Sequence, residues 1–420
     1  MTLSYRWGKF RPLITTRANF RQFYKGINET LPVSFEDAIH ITRHLGVDFL
    51  WIDSLCIVQD DEADWLEEAS KMGSIFANSY CTIAATEGKD NSHGILKTDT
   101  GMPRVKVLLG NTPGSYGYLG FRPDPFQDID LAGLNERGWV LQERLLSPRI
   151  VHFTKFRMYW ECRLSIGCDD LTVVSRTTGL LNLTRERPGD HGIHISTPEQ
   201  WFEIVQKYSQ CLLTRATDKL HAINGIVSSI GTHTGHRFLN GIWEDAIIQG
   251  VLWCHKETHF ERFTALKLPS WSWMAYTGPM QHVQLGFHIS KDPEWDITCS
   301  STNDETLYAY LIRFVDGARL GASVDGVPCN EINHRCRYSV VLDSSSSEIG
   351  WFVFDLDHHT QTKDALTDWG LVQMTSGGIY VLGLQKVYNR KGDEAYLRTG
   401  VGFIRTRSPP KISKTRRVVE

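Results

Sequence analysis

The run FLWID, residues 49–53, constrains the fold most. Its first four residues are apolar at successive positions, the pattern of a strand covered on both faces, as in parallel sheets. An amphipathic pattern stands on either side of it. Before it, in SFEDAIHITRHLG, Phe35, Ala38, Ile39, Thr42 and Leu45 recur at helical spacing. Ser34 is placed to cap that helix, with Asp37 three positions on, and Gly46 to stop it. After it, Trp65, Ala69, Met72, Ile75 and Phe76 mark a second helix over about 64–77. LSY at 3–5 reads as the first strand, VDFLWID as the second and YCTIAAT at 80–86 as the third. The order strand, helix, strand, helix, strand predicts an α/β layer fold with right-handed crossovers.

Residues 88–133 are rich in Gly, Pro, Asp and Asn and read as an irregular insertion with one hairpin near VKVLLG and YGYLGF. A helix at LNERGWVLQERLLS and strands at RIVHFT and FRMYWEC come next. Three further helices are expected. The first starts at Thr197, with Pro198 at its first position and Gln200 completing a capping box. TDKLHAINGIVSSIG and GIWEDAIIQGVLWCHKE are the others. From about 268 on, SWSWMAY, LYAYLIRF, RYSVVLD, EIGWFVFDL, GIYVLGL and VGFIRT predict an antiparallel sheet. The basic tail with KISKTRR is expected to be disordered. The expected organisation is therefore a first domain at 1–165, a helical segment at 195–260, a β-rich region at 265–408 and a tail at 409–420.

Composition excludes several classes. A length of 420 residues exceeds one ordinary domain, and a net charge of −3 gives no general attraction to nucleic acid or anionic membrane. No apolar run approaches the roughly 20 residues of a membrane span. The nine cysteines include no CxxC pair and read as free thiols of a reducing, cytoplasmic compartment. No metal site is expected. Cys254, His255 and His259 form one cluster, and His191 and His194 another, but neither has a second half.

Ligands of open parallel sheets bind outside the carboxyl ends of the strands. Asp53 and Ser54 lie at such an end, and LSYRWG delivers Tyr5, Arg6, Trp7 and Gly8 to the same edge. These polar groups line a cleft; alternatively, Asp53 caps a turn and Gln59 the next helix. Glu143 is the second candidate, in RGWVLQERLLS with Arg137, Trp139, Gln142 and Arg144 close by. A carboxylate beside a tryptophan is either raised in pKa by desolvation or stays ionised and stabilises positive charge, as in glycosidic cleavage. The alternative is a surface pair of Glu143 and Arg144. SWSW at 270–273 reads as a packed strand or corner, with a carbohydrate platform as the other option.

LSYRWG at 3–8, LWIDSLCIVQDD with DW at 50–65, and RGWVLQERLLSPRIVHF at 137–153 together resemble the fungal heterokaryon incompatibility (HET) domain. Segments such as LTRATDKLHAINGI and LPSWSWMAYTG resemble stretches common on the C-terminal side of that domain, so the likeness extends over residues 1–280. It implies nonself recognition in fungi and a part in programmed cell death, with self-association or other incompatibility proteins as partners. The HET domain is in turn similar to the TIR domain, a flavodoxin-like α/β module. LSYRWG resembles its first-strand ending and WVLQE its "WCxxE" helix, whose glutamate cleaves NAD. By that likeness Glu143 is the catalytic residue of an NAD hydrolase, and Tyr5, Trp7, Gly8, Asp53 and Trp139 hold the nucleotide. NAD is then a substrate, and no cofactor is implied. One departure stands out: family members carry a strand-forming stretch before LSY, whereas here Met1 precedes it by two residues. A first strand cut to a stub with an exposed edge is the expectation.

Overall fold

The computed structural model describes residues 1–8, 13–96, 104–108, 115–120, 124–163, 165–175, 193, 195–256, 261–283, 293–300, 306–313, 319–325, 336–341, 348–355, 366–388, 392–405 and 410–420. The chain forms two compact units. One comprises Met1–Ile195 with Cys211–His233, the other Ser196–Gln210 with Thr234–Glu420.

In chain order the first unit contains β1 (Thr2–Ser4), α1 (Phe20–Lys25), α2 (Val33–His44), α3 (Asp53–Cys56), α4 (Glu62–Ala77) and β2 (Thr82–Ala84). Next come β3 (Arg104–Leu108), β4 (Tyr116–Gly120), α5 (Pro125–Asp130), α6 (Gly138–Leu146) and β5 (Arg149–Phe153). Last are β6 (Met158–Cys162), β7 (Ser165–Cys168) and β8 (Val173–Ser175). Its main sheet runs β1-β2-β5-β6-β7-β8. Pairing is parallel from β1 through β2 to β5 and antiparallel from β5 onward, so the sheet is mixed rather than wholly parallel.

The expected second strand is reduced to one parallel bridge, Trp51 with Thr2. Trp51 donates its N–H to Met1 O and accepts from Leu3 N–H. β1 offers only three residues, so its neighbour finds partners over no greater length, and Phe49 is exposed. Short as it is, β1 has no exposed edge: it is buried throughout and paired with the Trp51 segment on one side and β2 on the other.

The pleat sorts the side chains of β1 and β2 between two layers. Leu3, Tyr5, Cys81, Ile83 and Ala85 pack with Phe35 and Ala38 of α2. Ala84 packs with Val140 of α6, Leu134 and Ile150. The α2 cap differs from expectation, because the helix begins one residue before Ser34, whose hydroxyl donates to Asn91 O. Asp37 instead accepts from the Ile95 and Leu96 N–H groups. Gly46 ends the helix as expected, at φ +67°. α4 is capped by Asp61, which accepts from Ala63 and Asp64, rather than by Gln59. The expected hairpin is β3 paired antiparallel with β4.

The second unit contains α7 (Pro198–Ser209), β9 (Phe238–Leu239), β10 (Ile242–Trp243), α9 (Ile247–Gly250), β11 (Trp253–His255) and β12 (Met280–His282), while α8 (His221–Thr234) lies almost wholly in the first. The capping box expected at the start of α7 is present, and Gln200 Oε1 also accepts from Ser196 N–H. The helix expected over 241–257 is a single turn, α9, between short strands. SWSW is a corner, with a 3-10 turn at Trp273–Ala275. Trp271 and Trp273 are fully buried, which leaves no face for a sugar.

The remaining strands are β13 (Thr298–Cys299), β14 (Leu307–Arg313), β15 (Arg319–Asp325), β16 (Cys336–Val341), β17 (Glu348–Phe354), β18 (Asp368–Met374), β19 (Ile379–Tyr388), β20 (Glu394–Ile404) and β21 (Lys411–Val419). They form one sheet in the order β13-β14-β18-β19-β20-β17-β16-β15. The basic tail is not disordered. It is β21, antiparallel to β14 and reaching β20 where Val419 meets Tyr396. β14, β18, β19, β20 and β21 thus close into a ring. Beside it, Arg398 donates to Asp355 at 2.7 and 2.9 Å and lies 3.8 Å from the centroid of the Trp253 ring. The Arg398 guanidinium also donates to the Val251 and Trp253 carbonyls, so its remaining N–H groups are satisfied, as a buried pair requires.

Candidate functional site

Six residues, Ser4, Tyr5, Trp7, Asp53, Arg137 and Glu143, gather at the carboxyl end of β1. Ser4 is its last residue and points to the α6 layer, where its hydroxyl donates to Glu143 Oε2 at 2.5 Å. Tyr5, the next residue, points to the opposite layer and meets the Phe35 ring edge-on at 5.1 Å. Trp7 donates its indole N–H to Asp53 Oδ2 at 2.7 Å, and Ser54 N–H donates to Asp53 Oδ1 at 2.6 Å. Arg137, just before α6, donates to the Tyr5 carbonyl. The Tyr5 hydroxyl lies beside Asp53 and Ser54 without a hydrogen bond of ordinary geometry.

The electrostatics of the cluster are dominated by burial. Glu143 is 7% exposed, and desolvation raises its pKa to about 7. Arg137 and the Ser4 hydroxyl pull it down and the Asp53 charge pushes it up, but burial prevails. Asp53 is also raised by desolvation, against Arg137, Trp7, Tyr5 and the Ser54 N–H. Burial and the nearby Asp53 charge drive the Tyr5 phenol well above its ordinary value. Two carboxyls and one guanidinium thus share a poorly solvated corner, where a proton is readily held or released near neutrality.

Of the residues singled out from sequence, Tyr5, Trp7, Asp53 and Glu143 come together. Asp53 opens the short α3 and takes Trp7 as well as its own neighbour, so it does more than cap a turn. Trp139 packs elsewhere, edge-on against Trp65 of α4 at 6.2 Å, and His221 also meets Trp65 edge-on, at 5.4 Å. Gly8 has a packing reason. Its φ is +76°, and a Cβ there would lie 2.1 Å from Asp90 Cβ, so only glycine fits. Glu143 and Arg144 do not form a surface pair. Glu143 is buried, the Arg144 side chain is 8% exposed, and Arg144 reaches Asp130 and Glu161 instead. Gln59 donates to the Asp53 and Ile57 carbonyls.

Two members of the cluster, Ser4 and Arg137, were not expected as site residues. The alternation of LSYRW held the signal for Ser4, since it sends residues 3 and 5 to one layer and residue 4 to the other. A second network next to it was also unforeseen. His152 Nε2 bonds Glu161 Oε2 at 2.5 Å, and Nδ1 shares a 3.0 Å hydrogen bond with the Thr86 hydroxyl. Glu161 takes both Nε and Nη2 of Arg144, at 2.9 and 3.2 Å. Because the carboxylate accepts at Nε2, a neutral ring has Nδ1 free to accept from Thr86. This network ties α6 to β5 and β6 and so holds Glu143 over Ser4. Its residues come from four separate stretches of chain, and no short motif marks them.

A groove of about 460 Å³, lined by Leu13, Leu31, Val33 and Asn91 among others, contains none of the candidate residues. Cys254 and His255 lie on β11, while His259, His191 and His194 fall outside the described residues. Among the described residues, no group of three or more His, Cys, Asp or Glu side chains is arranged to hold a metal ion. No described helix is long and apolar enough to cross a membrane.

The family model "Heterokaryon incompatibility protein (HET)" matches residues 1–143. No protein of curated function and no solved structure matched the chain. The matched region contains every member of the cluster described above, and its last residue is Glu143. The first 143 residues are therefore a heterokaryon incompatibility domain.

Proposed function

We propose that the HET domain serves nonself recognition and regulated cell death by cleaving the bond between nicotinamide and ribose in NAD, with Glu143 as the catalytic carboxylate. The observation that carries this reading is the buried cluster of Glu143, Asp53 and Arg137 at the carboxyl end of β1. Strand order lends further support. The Trp51 segment, β1, β2 and β5 lie side by side in that order, the 2-1-3-4 arrangement of flavodoxin-like sheets, whose ligands bind at this end.

Nicotinamide departs as a neutral base, so the reaction needs little acid assistance. The need is for negative charge beside a ribosyl cation and for groups that orient the ribose hydroxyls. Ionised Glu143 meets the first need, and Asp53, Tyr5 and Trp7 stand where they meet the second. With Glu143 titrating at about 7, the ionised fraction grows as pH rises through neutrality. Activity rises along the same limb and levels off above it.

A second reading, a non-enzymatic module that signals by self-assembly or by binding other incompatibility proteins, is favoured by one observation. Glu143 is nearly inaccessible and its carboxylate is already engaged by Ser4. Induced expression in a fungal cell separates the two. NAD falls with the native chain and not with Glu143→Ala if the domain is an enzyme. Cell death at undiminished NAD, equal in both, leaves the signalling module.

A further inference from the structure

We propose that the hairpin β3–β4 docks on an anionic lipid surface by entering the headgroup layer. The two strands pair only with each other among the described residues. Val105 stands opposite Leu119, and Lys106 opposite Tyr118. The pleat therefore puts Val105 and Leu119 on one face and Lys106, Tyr116 and Tyr118 on the other. Val105 and Leu119 are each 64% exposed, Tyr118 65% and Tyr116 50%. The ribbon is thus bare and largely apolar or aromatic on both faces at once.

That two-sidedness decides the occupant. A protein groove covers one face of a ribbon and leaves the other wet. A fluid headgroup layer surrounds both and still supplies water and phosphate to the open strand edges, which a hydrocarbon core would not. The side chains fit such a layer. Tyrosines concentrate at membrane interfaces, and a lysine can lay its stem along apolar surface while its charge reaches outward. Lys106 already rests on the Tyr116 ring, 3.9 Å from its centroid. Charge points the same way. Residues 103–123 hold Arg104, Lys106 and Arg122 and no Asp or Glu, although the chain as a whole stands at −3. Each cation adds attraction to anionic lipid. A lone two-stranded hairpin is also marginal in water and gains most from a surface that covers it.

The inference does not depend on the catalytic reading. It is tested by sedimenting the full chain with vesicles of phosphatidylcholine alone and with about one third phosphatidylserine. The native chain is expected to pellet with the anionic vesicles only and to be released by high salt. The double variant Val105→Asp with Leu119→Asp, and separately Lys106→Glu, should lower the bound fraction about tenfold or more. All three positions are exposed, so circular dichroism melting should match the native chain. If the double variant melts lower, Lys106→Glu alone decides. A native chain left in the supernatant overturns the proposal, as do variants that bind equally well. So does a native dimer in light scattering that the variants dissolve without lipid, since the covering partner is then a second copy.

Discussion

Glu143 is a carboxyl whose surroundings work against its charge, and this makes its titration a probe of the site. Its pKa is about 7 in the fold and 4.5 as a free side chain. A group raised in this way adds its stability below about pH 4.5 and loses it as pH rises through about 7. Glu143→Gln has no such loss. Relative to the native chain it should gain up to about 3 kcal/mol between about pH 4.5 and pH 8 in urea unfolding. An unchanged difference across that range would mean that Glu143 is solvated and ordinary. At this scale the sequence was partly legible. Asp53 stands out as a polar group at the end of an apolar run, Trp7 through LSYRWG, and Glu143 through its helix. Arg137 was visible only as a neighbour of Glu143, and Ser4 looked like one more strand residue. That the Ser4 hydroxyl meets the Glu143 carboxylate, and the Arg137 guanidinium the Tyr5 carbonyl, depends on segments more than 130 residues apart, and nothing local encodes it.

Elements were read well where a periodic face was long. α2, α4 and α6 lie close to where their apolar spacing put them. The failures share a cause, since neighbours override local preference. The apolar run before Asp53 has every mark of a strand but pairs only as far as three-residue β1 allows. The long helix expected over 241–257 breaks into a turn between strands. The close approach of α4 and α8 is likewise a tertiary fact. A Cβ on Gly225 would lie 2.7 Å from Gly73 Cα and 2.6 Å from Gln142 Oε1, whose carbonyl accepts from Gly225 N–H. Alanine is the better helix former by about 1 kcal/mol, yet overpacking two backbones in contact costs more. Gly225→Ala should therefore destabilise the chain by about 2 kcal/mol, read as a lower urea midpoint at unchanged slope. A gain in stability would show that the helices can move apart.

At the scale of the whole molecule, the clearest departure from expectation is β21. Lys411, Lys414, Arg416 and Arg417 gave the tail the look of a solvated charge run. In the fold its apolar residues decide. Val419 is buried in one core cluster of the second unit and Ile412 packs against another, while the cations stay at or near the surface. Arg416 also lies over the Tyr310 ring. Removing residues 411–420 should cost about 3 kcal/mol or more through the lost burial of Val419 and Ile412. It should also leave β14 as an open edge. The check is thermal unfolding with light scattering, where the shortened chain melts lower and aggregates. Equal melting would mean that the ring is not held by its last strand. By itself, then, the sequence determined the α/β character of the first unit, the β-rich character of the second, the heterokaryon incompatibility match of residues 1–143 and the helix carrying Glu143. Each of these is written in periodicity or in a contiguous motif. Only the tertiary structure decided the antiparallel half of the first sheet, the closing of the ring by β21, and the joining of Ser4, Asp53, Arg137 and Glu143 in one desolvated corner. Those outcomes depend on which distant segments exclude water from one another, and a pairing of that kind leaves no local periodic trace.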